Sequence, residues 1–118
     1  MVSPTQSQDP RRKYPRIELA KGISVGWRGG GKEGTSRFNS VSMGGMFIVT
    51  PEPPESGSVL ALLFDVPGGE VRARGVVKRV LPGIGMGVQF VHMNHEDRGR
   101  LNKLLTRLLE DRVRKIAE

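Results

Sequence analysis

The sequence predicts a small, mainly β domain, an antiparallel barrel or sandwich of about six strands, carrying one amphipathic helix at its C-terminal end. Three observations predict it. Apolar runs recur at intervals of about eight to fifteen residues, separated by glycine- and proline-rich punctuation. The 118 residues include Gly 16 and Pro 8, a supply of turn formers that suits β structure better than a helical bundle. Only the C-terminal segment repeats its apolar residues at three and four.

The first strand begins at Ile17. Ile17, Leu19, Ile23, Val25 and Trp27 fall on odd positions, and Glu18, Ser24 and Arg28 on the even, water-facing ones. Lys21 breaks the series beside Gly22, which marks a bulge. Trp27, the single tryptophan, reads as a core residue on the odd face. Arg28–Gly34, RGGGKEG, reads as a hairpin loop. Gly26 to Lys32 fits G-x-x-x-x-G-K, but Glu33 stands where a phosphate loop needs Ser or Thr, and no apolar-periodic helix follows. An NTPase is therefore excluded.

Phe38–Thr50, FNSVSMGGMFIVT, supplies two strands joined at Gly44–Gly45. Adjacent glycines permit positive φ and a close backbone approach. Met46–Val49 reads as a strand buried on both faces. Pro51–Gly57 is a loop, Val59–Val66 a nearly continuous apolar strand, Pro67–Gly69 a turn and Val71–Val80 a returning strand. Pro82–Gly85 turns again, and Met86–His92 is the last strand, with Met86, Val88 and Phe90 on one face. Asn94 is a suitable N-cap, with Asp97 in the first turn of a helix running from about His95 to about Ala117. Leu101, Leu104, Leu105, Leu108, Leu109, Val113 and Ile116 form its apolar stripe, which must cover an open end of the β unit, a partner, or both.

Composition bounds the function. The chain accommodates one domain, and 36% hydrophobic residues leave room for a single modest core. Without cysteine there are neither disulfides nor thiolate metal sites. No run reaches 18 apolar residues, and the basic residues near the start follow no apolar segment. The expected location is the cytoplasm, without membrane insertion. A net charge of +7 favours anionic partners. His92 and His95 are the only histidines, with no third ligand close in sequence, so no metal is expected. No nucleophile–base–acid set or paired carboxylate stands out, and the chain reads as a binder, not an enzyme, with no cofactor.

Two segments carry binding chemistry. Arg11, Arg12 and Arg16 surround Tyr14-Pro15, and Pro15 keeps the segment extended or turned. Guanidinium groups pair bidentately with phosphate and stack on flat rings. Ser40 and Ser42 precede Gly44 and Gly45, placing hydroxyls and backbone N–H groups where a phosphate or base edge can be held.

Taken together these residues resemble the PilZ domain family of cyclic di-GMP receptors. Arg12-Lys13-Tyr14-Pro15-Arg16 matches the family's R-x-x-x-R, and Ser40-Val41-Ser42-Met43-Gly44-Gly45 lies where the family has [D/N]-x-S-x-x-G. Gly85-Met86-Gly87-Val88-Gln89-Phe90 resembles the family's last core strand. The resemblance runs from Arg11 to about Leu109. It implies a six-stranded antiparallel barrel over residues 17–92, a ligand-switch loop over 11–16 and a C-terminal helix over 95–117, behind a disordered tail at 1–10. It also implies a nucleotide site of Arg11, Arg12, Arg16, Ser40, Ser42 and Gly45. One position departs: Ser40 stands where the family has Asp or Asn, and its hydroxyl lacks a carboxylate's two acceptors.

Two functions follow from the resemblance. One is a cyclic di-GMP receptor that passes ligand binding to an unidentified protein partner, in control of motility or surface behaviour. The alternative is a PilZ-like adaptor that has lost the ligand through Ser40 and acts by protein contacts. Nucleic-acid binding ranks third, because aromatic residues are only 5% of the chain and form no stacking platform.

Overall fold

The computed structural model describes residues 14–117, with side chains described as far as Arg114. The tail expected at 1–10, Arg11, Arg12 and the side chain of Ile116 lie outside the described residues. Six strands and one helix follow in order: β1 (Ile17–Gly29), β2 (Lys32–Ser42), β3 (Gly45–Val49), β4 (Val59–Val66), β5 (Gly69–Leu81), β6 (Gly85–His92) and α1 (His95–Ala117). The strands close into an antiparallel barrel in the order β1-β2-β3-β6-β5-β4.

The alternation read in β1 is the alternation of the barrel wall. Val25 and Trp27 point inward beside Phe38 and Val41 of β2, Met46 and Ile48 of β3, and Leu60, Leu62 and Phe64 of β4. Phe38 and Phe64 meet edge to face, their ring centres 5.2 Å apart. Lys21 and Gly22 do form a bulge. The pairing with β2 shifts between Glu18 and Ile23, and Gly22 takes φ +71.

Two expectations are corrected. The loop read as Arg28–Gly34 is only Gly30–Gly31, with Arg28 paired to Glu33 and Trp27 to Gly34. Positive φ at both turn residues (63 and 80) lets a two-residue connection follow the twist of the strands. Arg28 and Glu33, the pair on the face opposite buried Trp27, are therefore outward-facing strand positions. Met46–Val49 is not buried on both faces either: Met46 and Ile48 are fully buried, Phe47 is half-buried and Val49 is 43% exposed. A closed antiparallel wall has one interior, so a continuous apolar run still splits between inside and outside.

Helix α1 begins where its cap predicts. The Asp97 amide donates to Asn94 Oδ1 at 2.8 Å. Arg100 donates to Asp97 Oδ1 at 3.3 Å and to the Glu70 carbonyl at 3.1 Å, tying the helix to the start of β5. Leu101, Leu104 and Leu105 are buried against the barrel, each contributing on the order of 1.5–3 kcal/mol. The stripe then outruns the wall it covers, and Leu109 and Val113 are 47% and 63% exposed. No described helix is long and apolar enough to cross a membrane.

Candidate ligand-binding site

The β2–β3 hairpin is the centre of the candidate site. Ser42 pairs with Gly45 across it, Met43 and Gly44 make the turn, and Ser42 Oγ accepts the Gly44 N–H at 3.0 Å. Neither glycine has positive φ, contrary to one of the two uses expected of them. The other use, close approach, accounts for both. A Cβ on Gly45 would sit 2.1 Å from the Val88 carbonyl oxygen, inside the β3–β6 ladder. A Cβ on Gly44 would sit 2.9 Å from Cδ2 of Tyr14, whose ring lies against the turn.

Strand register decides which side chains share a surface. Ile17 pairs with Val41 and Glu18 with Ser40, so the chain entering β1 brings Arg16 to the position beside Ser42. Ile17, Val41, Met46 and Val88 point into the core. Their neighbours Arg16, Ser42, Gly45 and Gln89 therefore belong to the outer face, in one row, because Gly45 pairs with both Ser42 and Gln89. A second row runs Ser40–Phe47–Gly87–Arg79. Adjacent members of a row stand ~4.8 Å apart across the strands.

Ser40 and Ser42, only 6% and 4% exposed, lie at the bottom of this surface, while Arg16, Gln89 and Arg79 stand out from it. Gly87 puts no side chain on the wall here and is half-buried, whereas Gly45 is buried. Such a surface offers hydroxyls, a flat strip of backbone and guanidinium groups, the chemistry for a planar, phosphorylated ligand. Where the row reaches the end of the barrel it opens into a cavity of about 300 Å³. Tyr14, Met43, Gly44, Gln89, His92 and Arg98 are among its lining residues.

Of the residues expected from sequence, Arg16, Ser40, Ser42 and Gly45 are brought together. Tyr14, Phe47, Gln89 and Arg98 were not expected there. The alternation of β6 marks Gln89 as outward, but its place beside Gly45 depends on a pairing between segments far apart in the chain.

The family model for the PilZ domain matches residues 10–107. The chain belongs to the PilZ domain family. Members of this family are ligand-binding receptor domains. Solved structures with the same fold include the PilZ domain of YcgR from Escherichia coli with c-di-GMP, at 16% identity and TM-score 0.71, covering 92% of this chain and 98% of that one. The K. pneumonia MrkH–c-di-GMP complex is 24% identical at TM-score 0.71, covering 91% of this chain and 56% of MrkH. The Bacillus subtilis inhibitor of motility, MotI/DgrA, is 20% identical at TM-score 0.71, covering 86% of this chain and 53% of MotI. The chain thus spans about half the length of the MotI and MrkH structures. No curated protein matched it in a sequence search.

Proposed function

We propose that the protein is a cytoplasmic cyclic di-GMP receptor that passes ligand binding to a protein partner, in control of motility or surface behaviour. Arg12 and Arg16 close over the ligand as phosphate and guanine contacts, with Arg11 as an auxiliary. Ser42 and Gly45 form the wall beneath it, and Ser40 supplies a weaker contact than Asp would. The observation that carries this reading is the common outer face of Arg16, Ser40, Ser42 and Gly45. Arginine suits both halves of the ligand, pairing with guanine at O6/N7 and with phosphate. YcgR and MrkH, each solved with c-di-GMP, share the fold.

The alternative, an adaptor without ligand, is favoured by Ser40 alone. Losing one good polar contact costs about 1–3 kcal/mol, or roughly five- to a hundredfold in affinity. Calorimetric titration with cyclic di-GMP separates the two. The wild type is expected to bind, Arg16→Ala to lose about 2–5 kcal/mol, and Ser40→Asp to bind about five- to a hundredfold more tightly. Heat from Ser40→Asp but none from the wild type at millimolar ligand selects the adaptor. Silence from both rejects the receptor.

A further inference from the structure

The cavity at the end of the outer row is built by three separate parts of the chain: Tyr14 before β1, Met43 and Gly44 of the β2–β3 turn, and the end of β6 with the first turn of α1. Its volume of about 300 Å³ is at the small end of the range for ligand pockets, and suits one base rather than a whole cyclic dinucleotide. Its chemistry is that of a purine seat. The Tyr14 ring supplies an aromatic surface, the Gln89 amide a donor and an acceptor, and Arg98 a planar fork of donors.

Two arginines in the first two turns of α1 are used differently. Arg100 is held by Asp97 and the Glu70 carbonyl. Arg98 is exposed and, among the described residues, its guanidinium has neither a hydrogen-bond nor an ion-pair partner. Of the two, Arg98 is the one that lines the cavity, and Gly44 of the serine–glycine corner lines it too.

We propose that Arg98 reads one guanine of the cyclic dinucleotide in this cavity, pairing with its O6/N7 edge while the base lies against Tyr14. The inference rests on the receptor reading and adds to it a specificity-determining residue outside both sequence motifs. Guanine presents two acceptors on that edge, whereas adenine presents an acceptor and a donor, so a bidentate arginine favours guanine over adenine. Because Arg98 belongs to α1, the bound base also joins the helix to the β2–β3 turn.

The test is calorimetric titration of the full chain with cyclic di-GMP and, separately, cyclic di-AMP, using the wild type, Arg98→Ala, Arg98→Lys and Arg16→Ala. Arg98→Ala is expected to lose about ten- to hundredfold in affinity for cyclic di-GMP and nothing for cyclic di-AMP, which narrows the preference between them. Arg98→Lys keeps the charge without the fork and is expected to stay closer to Ala than to the wild type. Arg16→Ala is expected to weaken both ligands. The melting temperature of Arg98→Ala without ligand is expected to stay close to that of the wild type, since no side-chain hydrogen bond or ion pair is removed. Equal losses for the two ligands, or full rescue by lysine, overturn the base-reading role in favour of a general electrostatic one. Unchanged cyclic di-GMP binding in Arg98→Ala overturns the proposal and leaves the receptor intact. No cyclic di-GMP binding by the wild type removes both.

Discussion

Strand β2 has a glycine pair at each end, and the two pairs answer different needs. Gly30–Gly31, before it, take φ of 63 and 80, and around Gly31 nothing lies within 4 Å of where a Cβ would be. At Gly31 glycine serves the backbone angle alone; at Gly30 it serves the angle and also proximity, since a Cβ there would meet Ser58 Oγ at 2.6 Å. Gly44–Gly45, after it, have ordinary angles but meet the Tyr14 ring and the Val88 carbonyl. There glycine serves proximity. The same dipeptide lets the chain turn in one place and lets neighbours close in at the other, and only the second lies at the candidate ligand face.

The difference can be broken experimentally. Gly45→Ala is expected to be the most damaging change. Its methyl group meets backbone atoms of β6, so β3 and β6 must part, at a cost of about 3 kcal/mol in urea unfolding. Gly31→Ala is expected to cost about 1–2 kcal/mol, the strain of a left-handed angle alone. Gly31→Asn recovers most of that, because asparagine tolerates the left-handed region. Gly44→Ala is expected to change stability least, by under about 1 kcal/mol, because its neighbour is a side chain that can swing away. It displaces Tyr14, so it weakens ligand binding more than it weakens the fold, a split visible by comparing titration with unfolding. If Gly45 accepted alanine as readily as Gly31 accepts asparagine, the distinction between the two pairs would be wrong.

Much of the wall was legible in the sequence because its signals are local. The odd positions of β1, the interruption at Lys21–Gly22 and the Asn94 cap each state their structure within a few residues. What misled was composition. RGGGKEG is polar enough to look like a loop, although only two of its residues leave the ladder. The β4 run VLALLFDV, read as a nearly continuous apolar strand, is one, though Val59 and Leu63 are 53% and 41% exposed. Hydrophobicity alone does not distinguish the two sides of a strand; position in the closed ring does.

The candidate site divides along the same line. Its motifs are contiguous in the chain and were readable. One neighbour that completes the surface was not, because Gln89 reaches Ser42 only through the pairing of β3 with β6. Helix α1 shows the limit of periodicity. A regular stripe gave the helix and its apolar face, but not that the barrel would cover Leu101–Leu105 and leave Leu109 and Val113 exposed.

The closure of the barrel has a consequence for communication. Each of the six strands has a neighbour on both sides, so among the described residues main-chain rungs are left over only where a pairing is partial, as in β1 outside Val25–Arg28 and in β2 before Arg37. Over the fully paired part of the wall another protein meets side chains, and elsewhere the pieces that lie beyond the ring. A ligand held between the entry to β1 and the root of α1 would therefore be felt by the one described element outside the ring, the helix that Arg100 ties to β5.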